Sequence, residues 1–181
     1  MKRYWFLSLT LSLALLLLTA GPKPAVGEVS EYAVKAAYLY NFTQFVQWPK
    51  TALAGDSLVI GIVGDDPFGA SLDGAIQGKS AAGHPLEVKR FGSFSGKLGK
   101  CQVLFISFSE KGRLKEILQA AGKGVLTVSE IEHFPAKGGI VQFDQEGQKI
   151  TIILNESAAQ KAGLAVSSQL LQVAKLYKGE E

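Results

Sequence analysis

Three short apolar runs, each closed by turn residues, constrain this chain most. They are Leu58–Val63 (LVIGIV), Val103–Ser107 (VLFIS) and Val125–Val128 (VLTV). Such β-branched runs suit strands buried on both faces, as in a parallel sheet covered by helices. Arg113–Ala121 (RLKEILQAA) sits between the second and third run and places Leu114, Ile117 and Leu118 on one helical face. Strand, helix, strand at this spacing predicts a parallel crossover unit, right-handed by the general rule.

The stretch ahead of these runs, EYAVKAAYLYNFTQFVQWP at 31–49, reads as a helix. Apolar side chains recur at Ala33, Ala36, Ala37, Tyr40, Phe42, Phe45 and Val46, roughly at helical spacing. Ser30 is the candidate N-cap, and Glu31 follows where the helix dipole favours an acid. Pro49 forces a stop near Trp48. Tyr32, Tyr38, Tyr40, Phe42 and Phe45 point to nearly every side. Either the domain covers this helix on several faces, or part of it awaits another protein. Tyr38, Asn41, Gln44 and Trp48 are the candidate partner-binding residues, with core packing as the alternative for each ring.

The other elements follow in order. Asp66 before Pro67 predicts a helix from about Pro67 to Ile76, ended by Gly78-Lys79. Leu86–Phe91 (LEVKRF) alternates like a half-exposed strand, and His84-Pro85 reads as a turn. Gly92–Lys100 is a loop. Ile140–Phe143 and Ile150–Leu154 flank Asp144–Gln148, which predicts an antiparallel hairpin. Asn155 caps a short helix ending at Gly163, and Ser167–Tyr177 is a closing helix packed near the opening one. The sum is a single-domain α/β sandwich. It has a mostly parallel sheet with an antiparallel hairpin at the edge and helices on both faces.

Residues 1–27 read as a cleavable signal peptide. Lys2 and Arg3 precede the apolar run Phe6–Leu18, and Ala25 and Gly27 stand at −3 and −1 of a cut before Glu28. The run falls short of a comfortable span of about 20 residues, and no Cys near the cut suggests a lipid anchor. Residues 28–181 then form the mature domain, in the periplasm, with no membrane span. Lys2, Arg3 and Lys23 leave with the leader and no acid does. The 19 Lys and Arg against 16 Asp and Glu become 16 against 16, so no nucleic-acid footprint remains.

No motif argues for catalysis, a metal or a cofactor. Gly64–Gly69 (GDDPFG) follows a strand, but it has neither dinucleotide nor P-loop spacing. Asp66 is expected as a cap and Asp65 as solvated. The alternative is a ligand pocket at the strand ends, with Asp65, Asp66 and Ser129 as its polar groups. His84 and His133 lack metal-ligand spacing, and Ser129 reads as the cap of the turn that follows it. Cys101 is the chain's one cysteine, so no intrachain disulfide is available. It is either a buried small hydrophobe or the redox candidate, a thiol open to intermolecular pairing.

The stretch VKAAYLYNFTQFVQWP resembles the opening motif of the YfiR-like family of periplasmic proteins. Gly64–Gly69, Cys101–Ser107 (CQVLFIS), Val125–Ser129 (VLTVS), Gly138–Phe143 (GGIVQF), Ile153–Ala159 (ILNESAA) and Gly163–Leu171 (GLAVSSQLL) match in the family's order. The resemblance covers residues 31 to 177. It implies an α/β sandwich and a non-enzymatic regulator without a cofactor. The implied partner is the periplasmic sensor part of an inner-membrane signalling protein, in the best-understood relatives a diguanylate cyclase that is held inactive. Release raises cyclic-di-GMP and favours biofilm formation. A homodimer is left open. Redox-sensitive relatives carry further cysteines in disulfides, whereas here only Cys101 stands at a family-like position.

Overall fold

A computed structural model describes residues 30–147 and 149–179; the expected signal peptide lies outside them. The chain opens with α1 (Glu31–Phe45), followed by β1 (Val46–Gln47), β2 (Leu58–Val63), α2 (Ala70–Ile76), β3 (Ser80–Ala81) and β4 (His84–Arg90). Next come β5 (Val103–Ile106), a 3-10 turn over Phe108–Arg113, α3 (Leu114–Ala121) and β6 (Leu126–Ser129). The last third holds β7 (Val141–Glu146), β8 (Lys149–Leu154), α4 (Glu156–Lys161), β9 (Ala165–Val166), α5 (Ser168–Val173) and β10 (Lys175–Leu176).

Eight strands form one sheet in the order β10-β8-β7-β6-β5-β2-β4-β3. The pairs β4/β2, β2/β5, β5/β6, β6/β7 and β8/β10 are parallel. The pairs β7/β8 and β3/β4 are antiparallel. The fold is therefore the expected α/β class. Alternation along each strand feeds two cores. Leu58, Ile60, Ile62, Val103, Phe105, Leu126 and Val128 face α1, α2, α4 and α5. Val59, Val63, Leu104 and Ile106 face α3 and the loops that carry Phe94, Ile131 and Phe134. All six residues of β2 are buried, because helices and loops cover both faces of a parallel sheet.

Four expectations change. The first helix ends at Phe45 rather than Trp48, because Val46 and Gln47 turn extended and pair with Val166 and Ala165. The second helix starts at Ala70 rather than Pro67. The Asp66 carboxylate accepts the Phe68 amide at 2.8 Å, and Gly69 takes φ +49°, so the chain makes a side-chain-bridged turn before the helix. His84 begins a strand paired with Ala81, not a turn; the reversal is made by Ala82 and Gly83, both at positive φ. The closing helix ends at Val173, and Lys175–Leu176 instead extend the sheet beyond β8. The Tyr177 amide donates to the Leu154 carbonyl at 2.8 Å. That pairing satisfies edge groups of β8 that a longer helix would leave open. The hairpin β7–β8 consequently lies one strand inside the sheet edge. The opening and closing helices do meet: the Ser167 amide donates to the Phe45 carbonyl at 2.9 Å.

Candidate functional site

Each candidate partner residue on α1 is placed by where that helix stops. Ser30 caps it through a bond from the Ala33 amide at 3.2 Å. Ala36, Leu39, Phe42 and Thr43 form the buried side. Ala37, Asn41 and Gln44, at i, i+4 and i+7, form the opposite stripe; Ala37 and Gln44 are exposed and Asn41 is half-buried. Gln44 leans on the sheet edge, its Nε2 donating to the Ser80 carbonyl at 3.1 Å. A helix continued to residue 48 would have carried Trp48 onto this same stripe. The extended Val46–Gln47 swings the indole inward instead. Trp48 is 8% exposed and donates its Nε1–H to the Gln102 carbonyl at 3.1 Å. Tyr38 is half-buried, stacked on Phe42 and tilted on Phe143 at centroid distances of 6.3 and 6.0 Å. The structure thus gathers Asn41 and Gln44 on the open face, sets Tyr38 at its border and leaves Trp48 inside.

At the carboxy ends of the parallel strands, the candidate ligand residues spend their polar atoms on the protein. Asp65 is exposed, and its amide donates to Ser109 Oγ at 3.0 Å. Asp66 accepts from Arg90 Nε at 2.7 Å as well as from the Phe68 amide. Arg90 also binds Asp73 at 2.7 Å. The Asp73 and Asp66 carboxylates together hold the guanidinium above its ordinary value, and the Arg90 hydrogen bond holds the Asp73 carboxyl below its own. With Arg90 over a third exposed, this network contributes modestly. Ser129 is fully buried, donating to the Ile106 carbonyl at 2.7 Å and accepting from the Ile131 amide at 3.1 Å, the turn cap its position suggested.

The crevice itself is filled from within. Glu110 is 1% exposed; its Oε1 accepts from the Phe94 amide at 3.2 Å and from Arg113 at 2.8 Å. Gly64 has φ +90°, and a Cβ there would stand 2.5 Å from Ser109 Oγ and 2.8 Å from Glu110 Cγ. The 3-10 turn therefore lies directly on the strand end, and Asp65, Asp66 and Ser129 do not converge on a shared opening.

A charged cluster escaped the sequence reading. Lys35 is 4% exposed on α1 and bonds Glu31 and Glu130, the latter at 2.6 Å. Tyr32 donates to Glu130 at 3.3 Å, and its ring meets Phe68 edge-on at 5.7 Å. Burial alone would lower the Lys35 ammonium, but the Glu130 and Glu31 carboxylates outweigh it and hold its pKa above the usual lysine value. The Glu31/Lys35 spacing of four was the available signal; Glu130 is 95 positions away and gave none. Cys101 is 7% exposed, and burial pushes its thiol up to about 12. His133 is exposed in a loop, and His84 opens β4.

A family model described as YfiR/HmsC-like matches residues 32–175. No curated protein matches the chain. Among the described residues, no helix is long and apolar enough to cross a membrane.

Proposed function

We propose, because the chain belongs to the YfiR/HmsC-like family, that it is a periplasmic, non-enzymatic regulator. It binds the periplasmic sensor part of an inner-membrane signalling protein, a diguanylate cyclase in the fullest form of the proposal, and holds it inactive. The observation that carries this reading is the extent of the family match, which runs from the first turn of α1 to the start of β10. The outward stripe of α1 supports it as the contact surface. Ala37, Asn41 and Gln44 form an uncharged strip, and Tyr38 adds an aromatic border of the kind enriched at interfaces.

The test is capture in the native envelope. The tagged chain is crosslinked in intact cells, the membrane is solubilised, and partners are identified by mass spectrometry. Recovery of an inner-membrane cyclase, with crosslinks to Asn41 or Gln44 and raised cyclic-di-GMP on deletion of the protein, is the expected result. Recovery of the chain alone with crosslinkers of several lengths, and unchanged cyclic-di-GMP on deletion, would overturn it.

A further inference from the structure

A hollow of about 650 Å³ opens at the amino ends of β2, β5 and β6, the end of the sheet opposite the filled crevice. Its roof is the 49–57 linker, and that roof is fastened. Gln102, 7% exposed, accepts the Val59 amide on Oε1 at 2.7 Å and donates from Nε2 to the Ala52 carbonyl at 2.6 Å. Gly124, at φ +76°, lets the linker lie against the entry of β6; a Cβ there would stand 2.8 Å from that of Ala52. Val59, Cys101 and Val125 supply an apolar wall. Because burial keeps the Cys101 thiol protonated at neutral pH, that wall carries no charge.

The rim is cationic. Lys89, Lys100 and Lys123 line the opening against Asp56 and Glu87. Glu87 lies 3.8 Å from Lys89, while Lys100 and Lys123 make no ion pair among the described residues. The volume falls within the range of about 300–1,000 Å³ typical of small-molecule sites. An ammonium group acts as a rotatable point charge that accepts carboxylate and phosphate alike. We propose that this hollow binds a small organic anion, its apolar body against Val59, Cys101 and Val125 and its acidic head between Lys100 and Lys123. The site stands apart from the α1 stripe and does not depend on the partner proposed above.

The test is isothermal titration calorimetry of the purified protein with phenyl phosphate, phenylacetate and neutral benzyl alcohol at constant ionic strength. The expected result is saturable binding, one per chain, of at least one anion, with benzyl alcohol roughly tenfold weaker or more. Binding of only one of the anions identifies the head group as phosphate or carboxylate. The double variant Lys100→Glu/Lys123→Glu, both exposed, should weaken the anion by at least about tenfold. Ala121→Trp, which fills the hollow without changing its charge, should abolish binding. Both variants should keep the thermal midpoint of the parent. The proposal is overturned if neither anion binds at roughly 10 mM, if benzyl alcohol binds equally well, or if both variants bind like the parent.

Discussion

Trp48 donates its indole N–H to the main-chain oxygen of Gln102, a residue 54 positions further along the chain. The same Gln102 uses its side chain to hold Val59 and Ala52. The segment leaving α1, the linker roof and the entries of β2 and β5 are thereby fixed at one point. The amino end of the sheet owes its shape to this one glutamine.

Gln102→Ala should cost about 2–3 kcal/mol, because it strands the buried Val59 amide and frees the Ala52 carbonyl. Trp48→Phe should cost about 1–2 kcal/mol, since it loses one hydrogen bond and the five-membered part of the indole. Urea unfolding of the two variants checks the ranking; a Gln102→Ala variant as stable as the parent would mean the side-chain clamp adds nothing.

Lys35→Ala should cost about 2–4 kcal/mol, as it leaves Glu130 without its cation and opens space beside Leu39. The low end reflects partners that are 36% and 20% exposed. Lys35→Met, which fills the same space, should recover at least half of that loss. If Met and Ala cost the same, the deficit is electrostatic alone.

Stability should fall on the alkaline side. The Cys101 thiol is raised by burial from 9.0 to about 12. Lys35 is held above its ordinary 10.5, and Tyr32, through burial and the Glu130 charge, above its ordinary 10.0. A group whose folded pKa is raised contributes stability that is complete below its unfolded pKa and is lost as pH rises through the folded one. The loss therefore begins near pH 9 with Cys101, at up to about 1.4 kcal/mol per unit. Cys101→Ala should remove that first part and leave the steeper fall above pH 10. Native Cys101 should also resist a thiol reagent at pH 8 that modifies the urea-unfolded chain fully. Rapid native modification would contradict its burial.

Asn41→Arg/Gln44→Glu should shift the unfolding midpoint by no more than about 2 °C, because changes at such positions fall within about ±0.5 kcal/mol and the Gln44 bond to Ser80 is exposed. Partner capture in the envelope should nevertheless drop by at least roughly tenfold, from lost fit and added charge. Undiminished capture would move the contact surface off α1.

The strands were legible because their signal is local. Leu58–Val63 was read to the residue, and β5 and β6 to within one, since β-branched runs between turn residues have few other solutions. The caps at Ser30 and Asn155 were equally plain, each accepting from the third amide on. The candidate site was legible only in part. Asn41 and Gln44 lie half-buried and exposed on the helix, but for Trp48 the partner face and the core remain alternatives in the sequence, because nothing in its neighbourhood shows that Val46 pairs with Val166, 120 positions away. Asp65, Asp66 and Ser129 do lie at or just beyond strand ends, yet the buried Glu110 side chain that packs against Gly64 comes from a turn with no distinctive spacing. The closing helix failed for a related reason. Leu170, Leu171, Ala174 and Tyr177 do fit a helix, but the open edge of β8 competes for the same residues and takes Lys175–Leu176.

By itself the sequence determined the α/β class, the order of its main strands and helices, the family resemblance and the solitary cysteine. Each of these rests on residue type and short-range spacing. Tertiary structure alone decided which way Trp48 faces, that Lys35 is buried between two carboxylates, and that Glu110 packs against the turn after β2 while a hollow opens at the amino ends of β2, β5 and β6. Those outcomes depend on pairings between residues tens of positions apart, where burial and edge hydrogen bonds outweigh local preference.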